Sequence, residues 1–287
     1  MSDPAFAVII PHYNDVVRLE RCLGALAEQD LSGVEVVVAD NSSDQSLTQL
    51  KAVFPDVRFV TEPQPGAALA RNRGVAGTTA PWLIFLDADC VPAENWLATA
   101  RKLAQEGTVI GGRVDVFDET PPPRSGAEAF EAVFAFDQRA YVEKKGFSVT
   151  ANLIVSRAMF ADVGPFRAGL SEDLDWCHRA TAKGYGLIYA DELRVSHPSR
   201  ADWPAMRKKW LRVARESFGL KPRTLGARAS WGARALLMPA SILAHGPRVL
   251  RHPALSAGEK GRALWMLARL RLIRMVWMLR QAATGQP

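Results

Sequence analysis

Residues 82–86, Trp-Leu-Ile-Phe-Leu, form an unbroken apolar run of strand length, and the run stops at Asp87-Ala88-Asp89. Continuous rather than alternating apolarity requires burial on both faces, as an inner strand of a parallel sheet provides. In open α/β sheets, ligands bind in the crevice beyond the carboxyl ends of the strands. Two carboxylates there suit a hard divalent cation, which commonly arrives with substrate phosphates. A plain Asp-rich turn would read the same way, so the rest of the chain must separate the two.

The same punctuation recurs. Residues 5–10 are apolar and stop at Pro11, before the turn His12-Tyr13-Asn14-Asp15. Residues 34–39 run into Asp40-Asn41-Ser42-Ser43-Asp44, a cluster expected to be both a loop and a helix N-cap. Between them, Val17, Leu19, Cys22, Leu23 and Leu26 carry a helical period. A small-residue helix is expected over 67–75, carrying Arg71, Asn72 and Arg73. This alternation predicts an α/β fold with a doubly wound, mostly parallel sheet flanked by helices.

Beyond Asp89 the pattern predicts a helix over 93–104 and a strand over 109–116, interrupted by Gly111-Gly112. An aromatic-bearing helix is expected over 130–141, a strand over 149–155, and a short helix over 157–163 closed by Gly164-Pro165. A second acidic cluster, Ser171-Glu172-Asp173-Leu174-Asp175, opens an amphipathic helix. Two further extended pieces come after it, 187–190 and 195–198, the second ending at His197-Pro198. Asp175 and Arg179 are spaced for an ion pair along that helix.

At 287 residues the chain is long enough for a large core. Cys22, Cys90 and Cys177 are few and widely spaced, with neither a disulfide framework nor zinc spacing. A reducing, cytoplasmic compartment is expected. Met1-Ser-Asp-Pro-Ala5 has no basic n-region, so no signal peptide is expected. The net charge of +6 is unevenly spread: from Arg200 onward the acidic residues are Asp202, Glu216 and Glu259 alone. The last third therefore reads as a region with its own partner.

No dinucleotide fingerprint, P-loop, nucleophile elbow or kinase set is present. What remains are polar residues at element ends: Asp40, Asp87, Asp89, Asp173 and His197. In a doubly wound sheet such ends can converge on one face. There a carboxylate can accept hydrogen bonds from a nucleoside, arginines such as Arg71 and Arg73 can meet phosphates, and a separate carboxylate can act as a base.

At these residues the chain resembles family 2 glycosyltransferases of the GT-A fold. The resemblance covers residues 5–198 and rests on ordered motifs: Val-Ile-Ile-Pro-His-Tyr-Asn, Val-Val-Val-Ala-Asp-Asn-Ser-Ser-Asp, Gly-Ala-Ala-Leu-Ala-Arg-Asn-Arg-Gly, Leu-Asp-Ala-Asp, and Val-Gly-Pro-Phe with Glu-Asp-Leu-Asp-Trp-Cys-His-Arg after it. It implies a catalytic domain over 1–220, with a nucleotide-sugar half over about 1–110 and an acceptor half over 111–200. Residues 221–287 would be a helical basic extension. Carried over by position, Pro11, Tyr13 and Asp40 border the nucleoside, with Asp40 reading a uracil. Arg71 approaches the base or phosphates of the donor, and Asn72 shapes that wall. Asp87 faces ribose and metal, Asp89 binds Mn²⁺ or Mg²⁺, and His197 completes the metal shell. Asp173 is the catalytic base and Glu172 places the acceptor. The family is inverting, and its donor here would be a UDP-sugar.

Processive relatives carry Gln-x-x-Arg-Trp, where this chain has Met206-Arg-Lys-Lys209-Trp210. Lysine does not replace a stacked or bidentate arginine, so a single-addition enzyme is expected. Two other readings stay open: a sugar nucleotidyltransferase, and a degenerate nucleotide-sugar-binding scaffold. The Gly-rich first loop of the former is absent, and the intact carboxylates speak against the latter.

In the basic tail, residues 264–279 are apolar but interrupted by Arg269, Arg271 and Arg274. Arginines at a helix centre cost about 2.5–3.5 kcal/mol each on insertion, so a spanning helix is not expected. Trp265 and Trp277 with a basic face instead suit a membrane interface. Arg262, Arg269 and Arg280 share one side; Arg271 and Arg274 spoil the stripe. Attachment to the inner face of the cell membrane, with a glycan or glycolipid acceptor, is expected, and the rival is a helix packed on protein. No RNA- or DNA-binding motif is present, and nucleic acid is not an expected partner.

Overall fold

The computed structural model describes residues 4–286. Met1 to Asp3, part of the stretch read for a signal peptide, and Pro287 lie outside the described residues. The elements run β1 (Phe6–His12), α1 (Val16–Ala27), β2 (Val34–Asp40), α2 (Thr48–Val53), β3 (Arg58–Thr61), α3 (Ala67–Ala76), β4 (Trp82–Leu86), β5 (Val91–Pro92), α4 (Trp96–Leu103) and β6 (Thr108–Phe117). They continue α5 (Gly126–Phe134), α6 (Gln138–Lys145), β7 (Asn152–Ser156), α7 (Arg157–Val163), α8 (Glu172–Ala182), β8 (Gly186–Pro198), α9 (Trp203–Gly219), α10 (Leu225–Leu236), α11 (Ala240–Leu250) and α12 (Ala257–Thr284). Two compact units result, one of residues 4–115, 136–168 and 172–197, the other of 116–135, 169–171 and 198–286.

The first unit carries a mixed sheet of order β3-β2-β1-β4-β7-β6-β8-β5. Strands β3, β2, β1 and β4 run parallel, β7 lies antiparallel between β4 and β6, and β5 is antiparallel to β8. The unbroken apolar runs are explained by covered faces. Val8, Ile10, Ile84 and Leu86 point into a core with Leu19, Leu23 and Leu26 of α1 and Trp96 of α4. Their chain neighbours Ala7, Ile9, Leu83 and Phe85 point the other way, into a core with Val75, Phe160, Phe166 and Trp176. Successive side chains alternate across a strand, so both registers had to be apolar. Helix α3 lies close on β1 because Gly74 leaves room: a Cβ there would stand 2.6 Å from Ile9 Cγ2.

Gly111-Gly112 does not break β6. A Cβ at Gly112 would meet the Leu193 carbonyl oxygen at 2.6 Å. The space is used by Asn152, whose amide donates to the carbonyls of Arg113 (3.0 Å) and Leu193 (2.8 Å) and accepts from Trp96 Nε1 (3.0 Å). One buried side chain thus joins α4, β6, β7 and β8.

Local differences from the sequence reading have local causes. The aromatic helix expected over 130–141 is two helices, parted at Phe136 (φ 48°) and restarted by Asp137, whose carboxylate accepts from the Ala140 amide. The two late extended pieces are one strand, β8. The cluster 40–44 caps no helix: α2 begins at Thr48 behind Leu47, with no side-chain cap. Asp40 instead accepts from His12 at the end of β1, and the Asp44 amide donates to Asn14 in the loop after it. The ion pair Asp175–Arg179 forms at 2.9 Å. The three cysteines are free and buried.

In the second unit α12 packs against α5, α9, α10 and α11. Phe130, Met206, Leu267 and Leu270 form one of its cores. Buried Glu131 binds Arg200 Nη1 (2.9 Å) and Lys209 Nζ (2.8 Å). Burial pushes that carboxyl up, but the two cations outweigh it and leave it below its ordinary value. Among the described residues no helix is long and apolar enough to cross a membrane. Trp277, read from the sequence as an interfacial anchor, is buried, with the Arg207 guanidinium 5.9 Å from its ring centroid. A core position is occupied there because Trp277 lies on the helix side that carries Met278 and Leu270 inward.

Candidate active site

The carboxyl ends of β2, β1 and β4 lie side by side and present Asp40, Pro11 with His12, and Asp87. Register explains the first contact: His12 and Asp40 are paired positions on neighbouring parallel strands. The buried His12 accepts from the Asp15 amide at Nε2 (3.1 Å), so its Nδ1 carries the proton and donates to Asp40 Oδ1 (2.9 Å). Ser43 adds its hydroxyl to the same oxygen (2.6 Å) and its amide to Oδ2 (3.2 Å). Burial pushes the Asp40 carboxyl up, yet the bonds from Ser43 and His12 prevail and hold it below its ordinary value. It is therefore an oriented carboxylate that offers acceptor capacity at Oδ2. Pro11 sits half-buried beside it, and Tyr13 projects into solvent. Asn14, at φ 50°, accepts from the Asp44 amide (2.8 Å) and locks the two loops together.

Arg71 and Asn72 are consecutive on α3; Arg71 reaches the start of α8 and Asn72 the segment before it. The Arg71 guanidinium, buried, donates to Asp87 Oδ1 (2.6 Å) through Nη2 and to Glu172 Oε1 (2.9 Å) through Nη1. Asn72 engages the Phe166 main chain at both ends of its amide, donating to the carbonyl (2.9 Å) and accepting from the amide (3.0 Å). Phe166 in turn touches Phe85 (ring centroids 5.1 Å apart) and Trp176 (5.8 Å). The strand that ends at Asp87 and the helix that begins at Glu172 are thus packed on one aromatic cluster and joined by one guanidinium. Asp173, half-buried in the first turn of α8, has its carboxyl pushed up to about 6. Burial is the main cause, and the neighbouring charge of Glu172 adds to it, against a smaller opposing effect of Arg71.

Asp89 meets His197 from the far end of the sheet. Val91–Pro92 pairs with Val195 and Ser196, which carries His197 back over the Asp87-Ala88-Asp89 turn. Asp89 Oδ2 lies 3.2 Å from His197 Nε2, and the Phe136 ring packs on the imidazole (centroids 4.9 Å apart). A carboxylate oxygen and an imidazole nitrogen this close would both be available to one divalent cation. Among the described residues no three His, Cys, Asp or Glu side chains gather to hold a metal by themselves. One carboxylate and one imidazole would hold a divalent cation such as Mn²⁺ only with its remaining ligands supplied by water or phosphate oxygens.

All ten side chains read from the sequence lie in the first unit. Asp87, Arg71, Glu172 and Asp173 form one charged group, and Asp89 with His197 a second beside it in the chain. Pro11, Tyr13 and Asp40 line the neighbouring strand ends. Asn72 faces the Phe166 main chain. His12 and Ser43 escaped the sequence reading as site residues. The signal for His12 was its position: it ends an apolar strand at the level where Asp40 ends the next.

The Glycosyl transferase family 2 profile matches residues 7–164. Glycosyltransferase AglE of Haloferax volcanii is 30% identical over 218 residues, spanning 72% of this chain and 71% of that protein. Mannosyltransferase PcManGT from Pyrobaculum calidifontis, solved with GDP-Man and Mn²⁺, superposes with a TM-score of 0.58 at 20% identity, over 99% of this chain and 74% of its own. S. aureus TarS 1-349, solved with UDP-GlcNAc, gives a TM-score of 0.53 at 18% identity, over 98% of this chain and 92% of its own.

Proposed function

The chain belongs to glycosyl transferase family 2 and has the GT-A fold, and on that footing we propose that it is a metal-dependent inverting enzyme. It moves a sugar from a nucleotide sugar, in our reading a UDP-sugar, to a hydroxyl of a lipid-linked or cell-surface glycan precursor. The observation that carries this reading is the chain Asp87–Arg71–Glu172, with bonds of 2.6 and 2.9 Å, which fastens the strand end of the leaving-group side to the helix that bears Asp173.

Asp173 is the base. It accepts the proton of the acceptor hydroxyl as that oxygen attacks the anomeric carbon. The bond from this carbon to the diphosphate oxygen breaks on the opposite side, the nucleoside diphosphate leaves with the electron pair, and the configuration inverts. With a carboxyl near 6, Asp173 is ionised at neutral pH and still a better proton acceptor than an ordinary carboxylate. Mn²⁺ or Mg²⁺ bound by Asp89 and His197, with Asp87 alongside, would neutralise charge developing on the diphosphate. Asp40 accepts from an N–H of the base, with Pro11 and Tyr13 bordering it. A guanine offers such N–H groups as well as a uracil does, and the Pyrobaculum mannosyltransferase was solved with GDP-Man, so GDP-sugars belong in the test. Arg71 and Asn72 serve the donor from behind, by fixing Asp87 and the Phe166 loop. Glu172 helps place the acceptor. The second unit, in this reading, brings the enzyme to the inner face of a membrane, where a lipid-linked acceptor resides.

The test is release of nucleoside diphosphate from UDP- and GDP-sugars with Mn²⁺ and a panel of glycolipid acceptors. Acceptor-dependent release supports the reading. Release of pyrophosphate would make the protein a nucleotidyltransferase, and donor binding without turnover on any acceptor would make it a scaffold.

A further inference from the structure

The second unit leaves two apolar stripes uncovered. On α12, Trp265, Leu272 and Val276 are exposed, at 68%, 48% and 48%. At 3.6 residues per turn they fall within about 40° of one another. Arg262, Arg269 and Arg280, all exposed, lie along one flank of that stripe, Arg269 with its guanidinium stacked on the Trp203 ring (3.8 Å from its centroid). The two arginines that spoil the pattern in the sequence are turned elsewhere. Arg271 and Arg274 are half-buried, Arg274 with its guanidinium 4.4 Å from the Trp210 ring centroid, and burial lowers both, Arg274 to about 10. On α11, which packs on α12, Leu243 (82% exposed), Pro247 and Leu250 (56%) form a second stripe. Arg248, Arg251 and His252 line an open depression beside it.

Charge selects the partner. From Lys221 to Gln286 the one carboxylate side chain is Glu259, and it is buried in a capping box with Ser256. This part of the surface shows no exposed side-chain carboxylate against exposed Lys221, Arg223, Arg234, Arg248, Arg251, Arg262, Arg269 and Arg280. Two copies meeting through such a face would set like charges against each other. Nucleic acid would leave the leucine stripes in water. A surface that is both anionic and apolar within a few ångströms satisfies both features, and a bilayer containing acidic phospholipids is such a surface.

We propose that α11 and α12 form the membrane-docking face of this protein, with Trp265, Leu272, Val276, Leu243 and Leu250 entering the acyl boundary and the flanking arginines meeting lipid phosphates. This deepens the reading of a lipid-linked acceptor but is tested apart from it, because vesicle binding needs neither donor nor turnover.

The experiment is co-sedimentation of the full chain with vesicles of phosphatidylcholine alone and of equal parts phosphatidylcholine and phosphatidylglycerol. Binding to the anionic vesicles only, with a blue shift of tryptophan emission that Trp265→Ser removes, is expected. Each arginine near an anionic surface contributes about fivefold in partitioning, so Arg251→Gln with Arg280→Gln should weaken binding about 25-fold, and added salt should weaken the parent. All these positions are exposed, and far-ultraviolet circular dichroism should show the variants folded. Equal binding to neutral vesicles, an unchanged affinity in the folded variants, a dimer that Leu272→Ser dissolves, or preferential binding of an RNA oligonucleotide would each overturn the proposal. Vesicle binding without transfer to any lipid-linked acceptor would leave this face standing and remove the acceptor reading.

Discussion

Asp173→Asn should give a protein that is more stable at pH 8 and nearly inactive. The carboxyl of Asp173 is raised from 3.8 to about 6, chiefly by burial and then by the charge of Glu172. Below pH 4 the group is protonated in the folded and unfolded chains alike and costs nothing. Between pH 4 and 6 the folded chain keeps a proton that the unfolded chain has lost, so stability declines as pH rises. Above pH 6 the full cost is present. A gap of about two pH units corresponds to about 3 kcal/mol. Asp173 is half-buried, and water screens part of this, which leaves about 1–3 kcal/mol. Asparagine keeps the shape and cannot ionise, so at pH 8 it should recover that amount. For a chain of this size that is about 2–10 °C in Tm. Calorimetry of both proteins at pH 8 and pH 4 measures it, and the gain should vanish at pH 4. The same substitution should lower kcat/KM by about 10²–10⁴-fold. A variant no more stable than the parent at pH 8, or equally stabilised at both pH values, would refute the strained-base argument.

The same contacts imply other outcomes. Glu172→Gln removes the neighbouring charge that raises the Asp173 carboxyl, so that carboxyl falls. The acid limb of kcat/KM, expected near pH 6 in the parent, should therefore move to lower pH. His12→Ala removes one donor from Asp40; donor KM should rise while kcat changes little, as read from steady-state kinetics on the donor. Gly112→Ala drives a Cβ to 2.6 Å from the Leu193 carbonyl oxygen. It should cost about 1–3 kcal/mol of stability in urea unfolding.

The buried strands and the placing of the carboxylates at their ends were legible because the physics is local, whereas the strand order, with β7 antiparallel between β4 and β6, was not. Runs such as Trp82–Leu86 must be covered on both faces, and the residues just after such a run lie at the carboxyl edge. The partners of those residues were less legible, because they depend on register and on long-range packing. Nothing near Arg71 in sequence says that it will bridge Asp87 and Glu172, the latter 101 positions further on. Asn72 reads as a polar wall residue until the Phe166 main chain is beside it. The acidic cluster 40–44 has cap chemistry, but His12 and Asn14 compete for it across the neighbouring strand end and win. In the tail, period alone showed that Arg271 and Arg274 break the stripe of Arg262, Arg269 and Arg280, but not that they are half-buried. The Trp210 ring of α9 on which Arg274 stacks is invisible to a helical wheel.

The central claim is that Asp89 and His197 hold a divalent cation against the diphosphate of the donor. It is most directly tested by titration calorimetry of UDP and of GDP, with and without Mn²⁺, on the parent and on Asp89→Ala. The parent should bind one of the two nucleotides at least about tenfold more tightly with Mn²⁺, and Asp89→Ala should lose that gain while its metal-free affinity stays the same. A Mn²⁺ gain that survives undiminished in Asp89→Ala, or no gain in the parent for either nucleotide, would contradict the account.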